Sequence, residues 1–157
     1  MLLWKRVDLS SFFWLFGVLI LVLPAPTFAT LGENENSVQK DQSQMRTSAR
    51  ITRASTHTVH ELTTPAGHVI REYVSPSGTV FGVSWEGPSK PDLRQLLGSH
   101  WDEFIQASDQ LQRRGRGPLL IQLPDLVVVS AGHMRAFSGK AYLPQAMPSG
   151  VRAEDIQ

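Results

Sequence analysis

The chain contains no cysteine. Disulfides are therefore excluded, as are a lipid-modified N-terminal cysteine and any zinc or iron–sulfur centre built on thiolates. An excess of one charge is also lacking. Fifteen Lys and Arg stand against fourteen Asp and Glu in 157 residues. Nucleic acid rewards a strongly basic face, and this near balance of charge argues against it as a partner. No unbroken apolar run reaches the about 20 residues that a helix needs to span a bilayer. No serine sits in a Gly-x-Ser-x-Gly elbow. Gly115-Arg116-Gly117 lacks the lysine and following helix of a phosphate-binding loop.

What is present begins with an export signal. Lys5 and Arg6 form a positive n-region, and the apolar stretch from Phe12 to Leu23 follows, interrupted only by Gly17. Pro24-Ala25-Pro26 then breaks any helix, because proline lacks an N–H and clashes with the preceding turn. Thr27-Phe28-Ala29 supplies small residues at −3 and −1, which places cleavage after Ala29. The rival reading, a retained membrane anchor, needs a longer apolar stretch. Removal of residues 1–29 takes away Lys5, Arg6 and Asp8, leaving thirteen basic and thirteen acidic side chains. The expected product is a near-neutral exported protein, periplasmic or secreted.

Residues 30–55 read as a disordered polar linker. Glu33-Asn34-Glu35-Asn36-Ser37 and Gln39-Lys40-Asp41-Gln42-Ser43-Gln44 have no periodicity and bury too little to offset their ordering entropy. Arg46, Arg50 and Arg53 add a basic patch, either solvated or a tether to an anionic surface.

From Thr56 the pattern becomes that of a single small α+β domain. Thr56–Thr63, His68–Val74 and Thr79–Trp85 read as strands, joined by the turns Thr64-Pro65-Ala66-Gly67 and Ser75-Pro76-Ser77-Gly78. In the third strand Phe81, Val83 and Trp85 alternate with Val80, Gly82 and Ser84. Ser89 or Asp92 can cap a helix whose buried stripe is Leu93, Leu96, Leu97, Trp101, Phe104, Ile105 and Leu111. Gly98 marks a kink in it, or a break with Ser99 capping a second helix. Leu119–Ser130 reads as one apolar strand interrupted at Pro124-Asp125. Ala131-Gly132 reads as a turn, Met134–Tyr142 as the last strand and Leu143–Gln157 as an irregular tail. The expected order is β-β-β-α-β-β: an antiparallel sheet with one helix on one face.

Three strings carry a resemblance. They are Arg71-Glu72-Tyr73-Val74-Ser75-Pro76-Ser77-Gly78-Thr79-Val80-Phe81, Pro91-Asp92-Leu93-Arg94-Gln95-Leu96-Leu97-Gly98 and Gly132-His133-Met134-Arg135-Ala136-Phe137-Ser138-Gly139. With Leu143-Pro144 and Asp155-Ile156-Gln157, they resemble an uncharacterised family of small exported bacterial proteins, domain of unknown function 2844. The resemblance implies a bacterial, periplasmic protein and carries over no activity and no functional residue.

Candidate sites are sparse. His57 and His60 are three apart on a strand and so point to opposite faces, whereas His60 and His68 could pair across the first hairpin. Glu61 is the one nearby carboxylate, which makes a metal site unexpected. His100 borders the helix stripe as a core-edge residue. Ser75 and Ser77 flank a turn proline. Arg113-Arg114-Gly115-Arg116 suits a helix C-terminus, or an anionic partner. The most suggestive surface is His133, Arg135, Phe137 and Ser138 on the last hairpin, with the alternative of an edge strand made polar against aggregation.

No catalytic, metal or cofactor residues are assigned. The expected function is a non-enzymatic binding or interaction module of the cell envelope, with an envelope protein or a small ligand as partner. Nucleic acid is not expected, and membrane contact is expected only through the signal before cleavage. The alternatives are a small hydrolase using Ser138, His133 and Asp125, and a structural component ordered with a partner.

Overall fold

The computed structural model describes residues 31–34, 48–112 and 118–157. The expected signal, Arg46 and the run Arg113–Arg116 lie outside the described residues.

The two proline-containing turns form as their residues require. Gly67 N–H donates to the Thr64 carbonyl at 3.0 Å, and Gly78 N–H donates to the Ser75 carbonyl at 2.9 Å. Both glycines have φ of 83°, which side chains rarely adopt. These turns join β2 (Thr58–Thr63), β3 (Val69–Val74) and β4 (Val80–Gly87). Ser75 and Ser77 serve the second turn, their hydroxyls 2.7 Å apart, with Ser75 Oγ accepting from Thr79 N–H.

After β4 the chain turns into α1 (Leu93–Leu97), whose cap is Asp92: its Oδ1 accepts from Gln95 N–H at 3.2 Å. Gly98, at φ 51°, ends α1, and a 3-10 turn over Gly98–His100 leads into α2 (Trp101–Gln112). The helix is therefore broken at Gly98. Three further strands follow: β5 (Leu119–Gln122), β6 (Val127–His133) and β7 (Ala136–Tyr142).

Among the described residues these strands and β1 (Ser48–Arg53) form one seven-stranded antiparallel sheet, ordered β1-β2-β3-β4-β7-β6-β5. An antiparallel sheet with a helix on one face is present, but the molecule is mostly β and the expected order lacks two strands. The first is β1. It lies in the segment read as linker because all six of its residues are exposed and no apolar alternation marks it. The second comes from Leu119–Ser130, which is a hairpin, closed where Leu123 N–H donates to the Leu126 carbonyl at 2.8 Å. The last turn falls at Met134-Arg135, with Arg135 at φ 67°, and Ala131-Gly132 continue β6.

The other end of the expected linker is also packed. Leu31 is fully buried, its N–H donates to the Leu96 carbonyl at 3.1 Å, and Asn34 bridges to Thr79.

Each face of the sheet carries a core. On the helix side, Leu62, Ile70, Val74, Val80, Val83, Trp85 and Val128 meet Leu96, Leu97 and Phe104. On the other side, Tyr73 and Phe81 pack with Ile156 of the C-terminal tail. A register shift between Tyr73 and Val74 in the β3–β4 ladder makes this possible. Past it, Val80 joins Val83 and Trp85 on the helix side while Phe81 turns to the tail side. The strict alternation expected of Phe81, Val83 and Trp85 is thus corrected by one extra residue.

The tail has little regular structure, with 3-10 turns at Pro144–Ala146 and Ala153–Asp155, yet it is fastened to the sheet. The Gln157 carbonyl accepts from Ser84 Oγ at 2.6 Å, Tyr73 Oη at 2.8 Å and Arg71 Nη1 at 3.3 Å. Lys140 Nζ donates to the carbonyls of Ala153 and Ile156. Arg71 also bridges Glu61 and Glu86. Burial draws its pKa down, but the hydrogen bonds and charges of the two glutamates outweigh that and hold it above the ordinary arginine value.

Candidate functional site

The expected surface on the last hairpin is divided by the pleat. Phe137 lies opposite Gly132 on the helix side, whereas Ser138 lies on the tail side with Lys140. His133 pairs with Ala136, which makes it a diagonal neighbour of Ser138 on the tail side. Arg135 is in the turn itself and exposed. One strand face therefore does not present Arg135 and Phe137 together.

The serine hydrolase constellation is not assembled. Asp125 lies in the β5–β6 turn and accepts from Gln145 Nε2 at 2.6 Å. The length of β6, roughly 20 Å at about 3.3 Å per residue, separates it from His133. His133 Nδ1 instead lies 3.4 Å from the carbonyl of its neighbour Met134, a long contact.

The other histidines have separate roles. His57 sits in the β1–β2 turn, with its ring 5.9 Å from that of Tyr73 and 6.1 Å from that of Phe81. His60 is buried on the helix side, directly opposite the fully buried Glu72 and not His68. His100 is a core-edge residue 3.6 Å from Glu103. Among the described residues no three His, Asp or Glu converge on a metal position, and no helix is long and apolar enough to cross a membrane.

His68 is the one with an unforeseen partner. Its Nε2 lies 2.8 Å from Ser89 Oγ and 3.1 Å from the Ser89 carbonyl, and its Nδ1 lies 3.3 Å from Thr64 Oγ1. The Ser89 carbonyl can only accept, which suits a proton on Nε2, with Nδ1 then accepting from Thr64; held between Thr64 and Ser89, the ring acts as a clasp. It ties the β2–β3 turn to the loop that enters α1.

That clasp forms one wall of a cleft of about 400 Å³. Its floor is Ile70 and Leu96, its sides include Pro65, Ala66 and Pro91, and Lys90, Asp92 and Gln95 supply its polar groups. A second cavity of about 490 Å³ lies beside it, lined by Lys90, Leu119, Ser130, Gly132 and Phe137 among others. Lys90 belongs to both and makes no ion pair among the described residues. Asp92 is committed to the α1 cap. A mostly apolar concavity of this size with a few converging polar groups is the usual form of a small-molecule site. The sequence offered little to find it by. The turn at 64–67 and the loop at 88–92 are far apart along the chain and meet only through strand pairing.

The fold and cleft define a small helix-backed β-sheet domain with a ligand-sized concavity at one end. The chain belongs to the family described as "Protein of unknown function (DUF2844)", which it matches over residues 27–156. No curated protein and no solved structure matches it.

Proposed function

We propose that this protein is exported to the periplasm, or secreted, and works there without enzymatic activity as a binding module for a small amphipathic acid. The cleft carries this reading. Ile70 and Leu96 offer an apolar floor, and Lys90 places at its border an ammonium group that has no ion-pair partner among the described residues. A carboxylate held by Lys90 with an aliphatic or aromatic body on the floor uses both features. Phe137 and Leu119 give a longer ligand further apolar surface on the far side of Lys90. The export part is supported by the Lys5-Arg6 and Phe12–Leu23 pattern and by a family match that starts at residue 27, beside the expected cleavage point.

Thermal shift against straight-chain carboxylates of increasing length, and against the matching alcohols, tests the binding reading. Stabilisation is expected to grow with chain length and to favour the acids, and Lys90→Met should remove that preference. No stabilisation by either series overturns it. Intact mass of the protein recovered from the periplasm tests export, with a chain beginning at Thr30 as the expected result.

A further inference from the structure

Strand β1 is at the edge of the sheet, and among the described residues β2 is its one ladder neighbour. All six of its residues are exposed, and Ile51 remains 49% accessible. Ile51 also ends a row across the helix side of the sheet, running Ile121, Val128, Ala141, Val83, Glu72, His60, Ile51. An edge to which no further strand pairs among the described residues is a template for another strand. Proteins usually guard such an edge with proline, a bulge or charge; within β1 itself, Arg50 and Arg53 are the charged residues and proline is absent.

We propose that β1 pairs with β1 of a second copy, antiparallel and centred on Ile51. A two-fold axis normal to the sheet keeps each face continuous, so directly opposed residues must point to the same side. Centring on Arg50 would set two arginines face to face, which is destabilising. Centring on Ile51 sets Ile51 against its mate, Arg50 against Thr52 and Arg53 against Ala49. No like charges are then directly opposed, and the half-exposed isoleucines cover each other at the axis. Within each copy Arg50 also lies in register with Glu61 of β2, an acidic residue on the same face. A second copy uses the exposed aliphatic side chain and the charge spacing together, whereas an acidic peptide would use the arginines alone.

Six paired residues per copy bury less than the about 1,600 Å² of a standard interface, so the association is weak and reversible. Covalent trapping suits it, and a chain without cysteine gives no background. Two variants discriminate. In Ile51→Cys the thiols meet at the axis, with Cα atoms about 5 Å apart, inside disulfide range. In Ala49→Cys, on the same strand and side, the two thiols are offset by four residues, about 13 Å along the strand.

Mild oxidation should trap Ile51→Cys as a covalent dimer on the order of tenfold more than Ala49→Cys, because a separation beyond about 7 Å cannot be bridged. Sedimentation velocity of the unmodified protein should show a mass that rises with concentration, and Ile51→Lys, at an exposed position, should remain a folded monomer by circular dichroism. Equal trapping of the two cysteine variants, a concentration-independent monomer, or a dimer that survives Ile51→Lys overturns the proposal. So does a monomer that instead captures an acidic extended peptide along β1. Carboxylate binding in the cleft is read separately and is unaffected by any of these outcomes.

Discussion

The ring of Trp85 rests on the backbone of Gly139, its cross-strand partner. A Cβ at residue 139 would stand 2.6 Å from Trp85 Cε2 and 2.6 Å from the Val129 carbonyl oxygen. Neither neighbour can yield easily, since one is a buried indole and the other is ladder backbone. Gly139→Ala should destabilise the protein by about 1–3 kcal/mol, the range for overpacking a filled core. A urea titration monitored by tryptophan fluorescence should show the lower midpoint. An unchanged midpoint would mean that the ring has room to move.

Leu31 tests whether the fold begins well before β1. It is fully buried and its N–H bonds to Leu96. Leu31→Ala should cost about 2–5 kcal/mol through lost burial and the cavity left behind. A cost near zero by denaturant titration would return residues 31–34 to the status of a linker.

Tyr73 holds the tail through a reciprocal pair: its hydroxyl donates to the Gln157 carbonyl and accepts from the Gln157 N–H at 2.9 Å. Tyr73→Phe keeps the ring against Phe81 and removes both bonds. The expected loss is about 1–3 kcal/mol, together with faster amide exchange at residues 153–157 than in the parent protein.

Asp92 separates capping from charge. Asp92→Ala should lose about 1 kcal/mol by removing the bond to Gln95 N–H, while Asp92→Asn, also a good cap, should lose little. Equal losses in the two variants, measured by thermal unfolding, would assign the effect to the carboxylate charge.

The parts of the fold that local chemistry dictates were legible in the sequence. Pro65 with Gly67 and Pro76 with Gly78 mark both turns, Asp92 marks the helix start and Gly98 its break. What was hidden depends on pairing. Strand β1 has no buried face, so Ser48–Arg53 carry no periodic signal and form a strand because β2 offers a ladder. The register shift at Tyr73/Val74 is invisible to alternation, which places Phe81 with Val83. The candidate site was less legible still. His133 and Ser138 do come near each other, but Lys90 and the His68–Ser89 clasp were found only once the β2–β3 turn had been set beside the loop entering α1.

The slip at Tyr73/Val74 also binds the two halves of the molecule to one fate. Val80, Val83 and Trp85 support the helix layer, and Phe81, within the same strand, supports the tail layer. Pulling β4 out of register would strip both layers at once. Neither has a strand of its own at the centre of the sheet on which to survive alone. The domain should therefore melt in one cooperative step, with probes on Trp101 and on Tyr142 reporting the same midpoint.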